Sequence, residues 1–303
     1  LLLAALYQVV SSWSNTDRIT VDMEGHGREF VSDQLDISRT VGWFTSIYPV
    51  VLSSKLDAGI DALVKGVKQQ LRDIPKKGLT FGLYKYLSIH SEDVESQRSA
   101  GSELSFNYLG QLDQVVEEGG MLSRAPEHTG AEISANAERH YLIEVSARVQ
   151  GGELAMSWRY SENLHDADTI EKLATQYLES LIAIVEHCCN DAVFGYTPSD
   201  FPLAKLDQAQ VDALCVMPGI ETVVPLSPVQ EGMLFHALYE PGSWVYFDQI
   251  IVPIVGAVNE EAMFEAWRTV VSRHQILRTG FVWEGLVKPL QVVVENAELD
   301  IQR

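Results

Sequence analysis

Apolar residues recur along this chain in two rhythms. At the start, the run Leu1 to Leu6 continues into Tyr7, Val9, Val10 and Trp13 at helical spacing. Ile19, Val21 and Met23 then alternate with Thr20 and Asp22, the period of a strand with one buried face. Val41 to Leu52 is dense in aromatic and β-branched residues, which predicts a largely buried strand. Leu56, Ile60, Leu63, Val64, Val67 and Leu71 form one helical stripe, closed by Pro75 and Gly78, and Phe81 to Leu87 reads as a further short helix. Leu104 to Leu109 reads as a strand ending at Gly110, and residues 112 to 137 as an exposed excursion. Tyr141 to Val149 and Leu154 to Tyr160 alternate around Gly151-Gly152, the pattern of a hairpin. A long amphipathic helix follows, burying Ile170, Leu173, Tyr177, Leu181, Ile184 and Val185, with Asp168 and Glu171 spaced as a capping box.

The pattern then restarts. Thr197 to Pro202 reads as an extended linker. Beyond it come a strand near Val223, an amphipathic helix over Leu226 to Leu238 with Pro228 in its first turn, and a strand over Val245 to Val255. A helix lined by Met263, Phe264, Trp267, Val270 and Val271 precedes strands at Phe281 to Trp283 and Leu290 to Val294. The last stretch reads as a domain begun and not finished, and the first as a chain starting inside a buried helix.

A chain of 303 residues, 46% hydrophobic, is long enough for two domains. Its net charge of -20 argues against a nucleic-acid partner, which needs clustered Lys and Arg. No apolar run reaches the length of a membrane span, and the opening leucines lack the basic flank of a signal peptide. Cys188, Cys189 and Cys215 have no metal-site spacing; free thiols fit a cytoplasmic location, and the Cys188-Cys189 pair reads as inert packing.

The stretch with chemical character is Glu24-Gly25-His26-Gly27-Arg28-Glu29. Continued alternation would place Glu24, His26 and Arg28 on one face, with two glycines clearing space between them. On these six residues alone, a polar strand end with a glycine bulge is the plainer reading.

Further motifs change the weighting. Glu24 to Glu29, Arg39-Thr-Val-Gly-Trp-Phe-Thr45 with Tyr48-Pro49, and Phe106-Asn-Tyr-Leu-Gly-Gln111 resemble successive signatures of nonribosomal peptide synthetase epimerization domains. Leu3 to Trp13 is similar to the helix just upstream. Pro75 to Gly82 resembles another signature, with Thr80 where the family usually has Gly and Phe81 where it usually has Tyr. Pro225 to His236 and Arg273 to Phe281 resemble the first two signatures of a condensation domain. The resemblance thus implies residues 1–196 as the C-terminal portion of an epimerization domain, 197–219 as an interdomain linker and 220–303 as the N-terminal portion of a truncated condensation domain. It implies an α/β (α+β) fold of chloramphenicol-acetyltransferase-like lobes, the second lobe of one domain joined to the incomplete first lobe of another.

Both families carry a His-His-x-x-x-Asp-Gly motif, and the eight histidines here include no adjacent pair. The resemblance puts those motifs outside this segment, so the isolated fragment is expected to be inactive. It implies an amino-acid epimerase that converts an L-aminoacyl or peptidyl thioester to the D form. The phosphopantetheine arm of a peptidyl carrier protein presents that substrate, with carrier domains as partners upstream and downstream and no cofactor bound directly. Glu24 is implied as a proton-transfer group, and Asn107 and Tyr108 as groups near the reacting carbonyl. Partial burial of Glu24 would lift a carboxyl toward operating pH, as such a role requires. His26 and Arg28 are implied to organise the site, and Arg39 to pair with the Asp of the absent motif. Trp43, Phe44 and Tyr48 are expected in the core, and Arg278 as a buried structural arginine. The other class kept open is a non-catalytic scaffold that docks carrier proteins.

Overall fold

The chain divides into two compact units, Leu1–Val193 and Phe194–Arg303. The computed structural model describes residues 1–29, 36–55, 59–87, 102–111, 127, 130, 134, 137–190, 193, 195–216, 219–242, 245–246 and 248–301. Most of the expected 112–137 excursion, and Leu56 of the helical stripe, lie outside these.

In the first unit, α1 (Leu2–Ser14) leads into β1 (Arg18–Gly25). There follow β2 (Ser46–Ser53), α2 (Ile60–Arg72), a tight turn at Pro75–Gly78 and α3 (Leu79–Leu87). Then come β3 (Leu104–Gln111), the hairpin of β4 (Ile143–Gln150) and β5 (Glu153–Tyr160), and α4 (Ala167–Cys188). The strands form one five-stranded sheet in the order β2-β1-β3-β4-β5. Its outer pairs are antiparallel, and β1–β3 and β3–β4 are parallel.

Alternation sends Val21, Leu52, Phe106 and Val145 to one face of this sheet. There Leu6 of α1, Leu63 of α2 and Tyr177 and Ile184 of α4 close the core. Each such side chain contributes about 1.5–3 kcal/mol when removed from water. The Tyr7 hydroxyl joins two strand ends, accepting from the Ser54 N–H at 2.8 Å and donating to the Asp17 carbonyl at 2.9 Å. Gln70 closes the end of edge strand β2, where its amide both donates to the Ser53 carbonyl and accepts from the Ser53 N–H at 2.8 Å.

Several local expectations of the first unit fail, among them the burial of Val185 in α4, which is 40% exposed. The strand expected from Val41 begins at Ser46, and Val41 and Trp43 are 100% and 91% exposed. Phe44 is half-buried and Tyr48 fully so. At α4 the N-cap is Asp166, with no side-chain cap bond. Asp168 lies inside the first turn, where its charge meets the positive end of the helix dipole rather than a capping box. Cys188 and Cys189 are exposed, not packed.

In the second unit, the expected tether at Thr197 to Pro202 is folded. Thr197 and Asp200 form a capping box around a single turn, with the Thr197 N–H 2.8 Å from Asp200 Oδ2. Phe201, Leu206 and Val211 are buried with Ile220, Val223 and Leu290. Three apolar anchors in a short segment outweigh its Pro and Ser content. Next come α5 (Gln208–Leu214), β6 (Ile220–Pro225), α6 (Pro228–Tyr239) and α7 (Glu260–Arg273). Strands β7 (Thr279–Val282) and β8 (Leu290–Val294) complete an antiparallel sheet in the order β6-β8-β7. The strand expected over Val245 to Val255 does not form among the described residues; Ile250, Ile251 and Val255 are 84%, 82% and 97% exposed. Its β-branched composition favours extended backbone, but a ladder also needs a neighbouring edge.

Arg278 is buried as expected. It donates to the Val271 and Glu295 carbonyls at 3.2 Å, to Glu221 Oε2 at 2.8 Å and to the Val294 carbonyl. Hydrogen bonds from Arg278 and Gln275 hold the Glu221 carboxyl below its ordinary range. Its contribution to stability is therefore present at neutral pH and lost as pH falls through the lowered value. Arg278→Met leaves buried carbonyls without a donor and should destabilise the second unit by about 3 kcal/mol, read from its denaturant midpoint.

Candidate active site

Helices α1, α2 and α4 pack on one face of the five-stranded sheet; on the opposite face β1, β3 and β4 present mainly polar side chains, and edge strand β2 adds Ile47, Pro49 and Val51. Strand alternation places Asp22 and Glu24 of β1 there, with Ser105 and Asn107 of β3. The parallel register sets Asp22 opposite Ser105 and Met23 opposite Phe106, so Glu24 and Asn107 come next to each other. Asn107 Nδ2 donates to Glu24 Oε2 at 2.6 Å, joining side chains 83 positions apart. Glu24 is exposed rather than partly buried as expected.

A second pair adjoins the first. The Tyr141 hydroxyl donates to Asp22 Oδ2 at 3.0 Å, from just before β4. Burial raises the Asp22 carboxyl, against the Tyr141 hydrogen bond and the charges of Lys85 and His140. Burial also raises the Tyr141 phenol, and the negative charges of Asp22 and Glu24 add to it, so it stays a neutral donor at physiological pH. Farther across this face, Glu144 pairs with Arg139 at 3.2 Å and Arg159 at 3.8 Å, and the Ser146 and Ser157 hydroxyls meet at 2.8 Å.

Beyond Glu24 the alternation stops, because β1 ends at Gly25 and Gly27 takes φ +64°. A Cβ on Gly27 would lie 1.5 Å from the Phe44 carbonyl oxygen, so only glycine fits this turn. The reversal brings Glu29 back to His26, with His26 Nε2 3.1 Å from Glu29 Oε1. His26 Nδ1 accepts from the Arg28 N–H at 3.0 Å, which assigns the ring proton of neutral His26 to Nε2, facing Glu29. Arg28 does not share the face of Glu24. Its guanidinium donates to the Ile37 carbonyl at 2.7 Å and the Gly42 carbonyl at 3.3 Å, and lies 4.3 Å from the Phe44 ring centroid. That clamp fixes the stretch before β2 as a loop and leaves Val41 and Trp43 outside the core. Arg39, on the same loop, is exposed and has no partner among the described residues.

Of the residues singled out in the sequence, Glu24 and Asn107 are in contact. Tyr108 is opposite Ala147 in the ladder, which puts it on the helix-covered face at an open end, 46% exposed. His26 and Arg28 organise the turn and the loop. Sequence reading missed Tyr141, which no local pattern links to β1, and Asp22, whose place on the face of Glu24 was visible in the alternation. Among the described residues no group of three His, Cys, Asp or Glu could hold a metal ion, and no helix is long and apolar enough to cross a membrane.

A family model described as a condensation domain matches residues 1–198 and 220–303. The chain is 45% identical over 300 residues to a linear gramicidin synthase polypeptide of Brevibacillus parabrevis, covering 98% of this chain and 4% of that protein. It is 33% identical over 304 residues to bacitracin synthase 3 of Bacillus licheniformis, covering 99% of this chain and 5% of that protein. The chain thus spans a small fraction of these relatives. Among solved structures it is similar to the epimerization domain from the third module of tyrocidine synthetase B. The match has TM-score 0.55 and 37% identity, over 62% of this chain and 41% of that one.

Because burial favours protonated Asp22 in the folded state, its contribution is present in acid and lost as pH rises through its raised value. Asp22→Asn keeps an oxygen for Tyr141 and removes the charge. It should raise the unfolding midpoint at neutral pH and give no gain in acid, as followed by thermal melts across pH.

Proposed function

The chain belongs to the condensation-domain family of nonribosomal peptide synthetases, and on that premise we propose that its first unit takes part in epimerizing a carrier-bound aminoacyl or peptidyl thioester. The observation that carries this reading is the Glu24 carboxylate, held by Asn107 on the open polar face of the sheet. The likeness to a solved epimerization domain supports it.

The α-hydrogen of a thioester is acidified by the adjacent carbonyl. Removing it leaves an electron pair delocalised onto the carbonyl oxygen, and a proton returned to the opposite face inverts the centre. As a carboxylate Glu24 is suited to take that proton on one face, and once protonated to return one. The Asn107 amide occupies one carboxylate oxygen and leaves the other available, so Asn107 orients the base. On this reading the acid for the other face is a histidine of the His-His-x-x-x-Asp-Gly motif in preceding sequence, and Arg39 pairs with that motif's Asp. Tyr108, at the open end of β3, is assigned to the approach of the thioester. The substrate arrives on the phosphopantetheine arm of a peptidyl carrier domain. The second unit is read as the opening lobe of a condensation domain that accepts the D-configured donor from this step.

The test is α-hydrogen exchange in the full-length polypeptide loaded with an L-aminoacyl thioester. Glu24→Gln should lower the exchange rate by at least about 10²-fold. Asn107→Ala, which frees the carboxylate without removing it, should cost up to about 10²-fold. Exchange at the parental rate in Glu24→Gln would remove the unit from the chemistry and leave carrier docking as its role.

A further inference from the structure

The glycine-rich turn after Glu24 is tied to a second turn far along the chain. Glu29 divides its carboxylate between two donors, with Oε1 3.1 Å from His26 Nε2 and Oε2 3.1 Å from Lys77 Nζ. The Glu29 side chain is 18% exposed, whereas those of His26 and Lys77 are 63% and 72% exposed. Glu29 is therefore the enclosed member of the trio, and the imidazole and the ammonium close over it from outside.

Lys77 reaches this position through unusual backbone. Lys76 and Lys77 take φ of 48° and 49°, and Gly78 follows at 80°. Residues with a Cβ avoid this left-handed region unless their surroundings hold them there. At Gly78 the surroundings are the Tyr48 ring, which a Cβ would meet at 2.1 Å. Tyr48 also lies against Gly25, where an added Cβ would come 3.4 Å from the ring and 3.9 Å from the Lys77 carbonyl. The Lys77 turn thus lies beside the residue after Glu24 with its backbone and meets Glu29 through its side chain.

We propose that Lys77 is a positioning residue for Glu24, holding through Glu29 the turn that ends β1 and so fixing where the Glu24 carboxylate meets its substrate. This inference rests on the reading of Glu24 as a proton-transfer group. Exposed ion pairs add little to global stability, so the role of Lys77 is geometric, and its loss should be felt in rate.

The experiment uses the full-length polypeptide loaded with an L-aminoacyl thioester, in Lys77→Met, Lys77→Arg and Glu24→Gln forms. Lys77→Met should lower kcat for α-hydrogen exchange about tenfold, since small misplacements of a reacting group are costly. It should leave KM and the melting temperature unchanged, and speed amide hydrogen exchange over residues 24–29. Lys77→Arg, which restores the cation, should recover most of the rate and the amide protection. Parental kcat in Lys77→Met, with exchange lost in Glu24→Gln, overturns this inference and leaves the proposed function standing. Parental exchange in Glu24→Gln overturns both. A loss that Lys77→Arg does not rescue, or one that follows a general fall in melting temperature, also counts against Lys77 as a positioning residue.

Discussion

A sheet buried on one face and left open, and polar along β1, β3 and β4, on the other is the constraint on which the first unit depends. With strand side chains alternating, one register satisfies both faces, and a slip of one residue would expose Val21 and Phe106 while burying Asp22 and Asn107. The apolar half of β1 and β3 thereby fixes the polar half. Glu24 and Asn107 meet at 2.6 Å because Val21 and Leu104, at the other end of the same ladder, are buried together under the helices. The position of the candidate base along β1 thus follows from core packing and the strand ladder together.

What alternation cannot do is end a strand at the right residue, and here glycine and electrostatics take over. Gly27 turns the chain against the Phe44 backbone, where no side chain fits. The charged residues around this turn then diverge from the face that Glu24 occupies. Glu29 folds back between His26 and Lys77, and Arg28 crosses to clamp the loop before β2. The clamp places Arg39 and Trp43 on an exposed loop, with Arg39 unpaired among the described residues. In the proposed function, that arginine meets an acidic group from sequence beyond this segment.

Much of this was legible in the sequence where periodicity carries the information. The Tyr141 to Tyr160 hairpin, the described part of the α2 stripe and the buried face of α4 from Ile170 to Ile184 follow from spacing alone, and their structures agree, while Val185 beside that face is exposed. Glu24 and Asn107 were legible as motif members, yet their contact depends on a parallel crossover of 83 positions that no local pattern encodes. Val41 to Phe44 misled because its composition suits a strand, while Arg28 holds it as a loop. Thr197 to Pro202 misled in the opposite sense, since Pro and Ser suggested a tether where Phe201 and Leu206 are anchored in a core. In each case a tertiary contact from outside the segment outweighed the local propensity.

Epimerization acts at the α-carbon of the thioester and condensation at its carbonyl carbon, so the fate of the α-hydrogen offers the most direct measurement. The full-length parent, charged with an L-aminoacyl thioester in deuterium oxide, is quenched, and the released amino acid is analysed for chirality and for deuterium at the α-carbon. Epimerization by this unit predicts a mixture of D and L forms, each acquiring α-deuterium with turnover. An L product that keeps its α-hydrogen through many turnovers of peptide-bond formation would contradict the proposed role of Glu24.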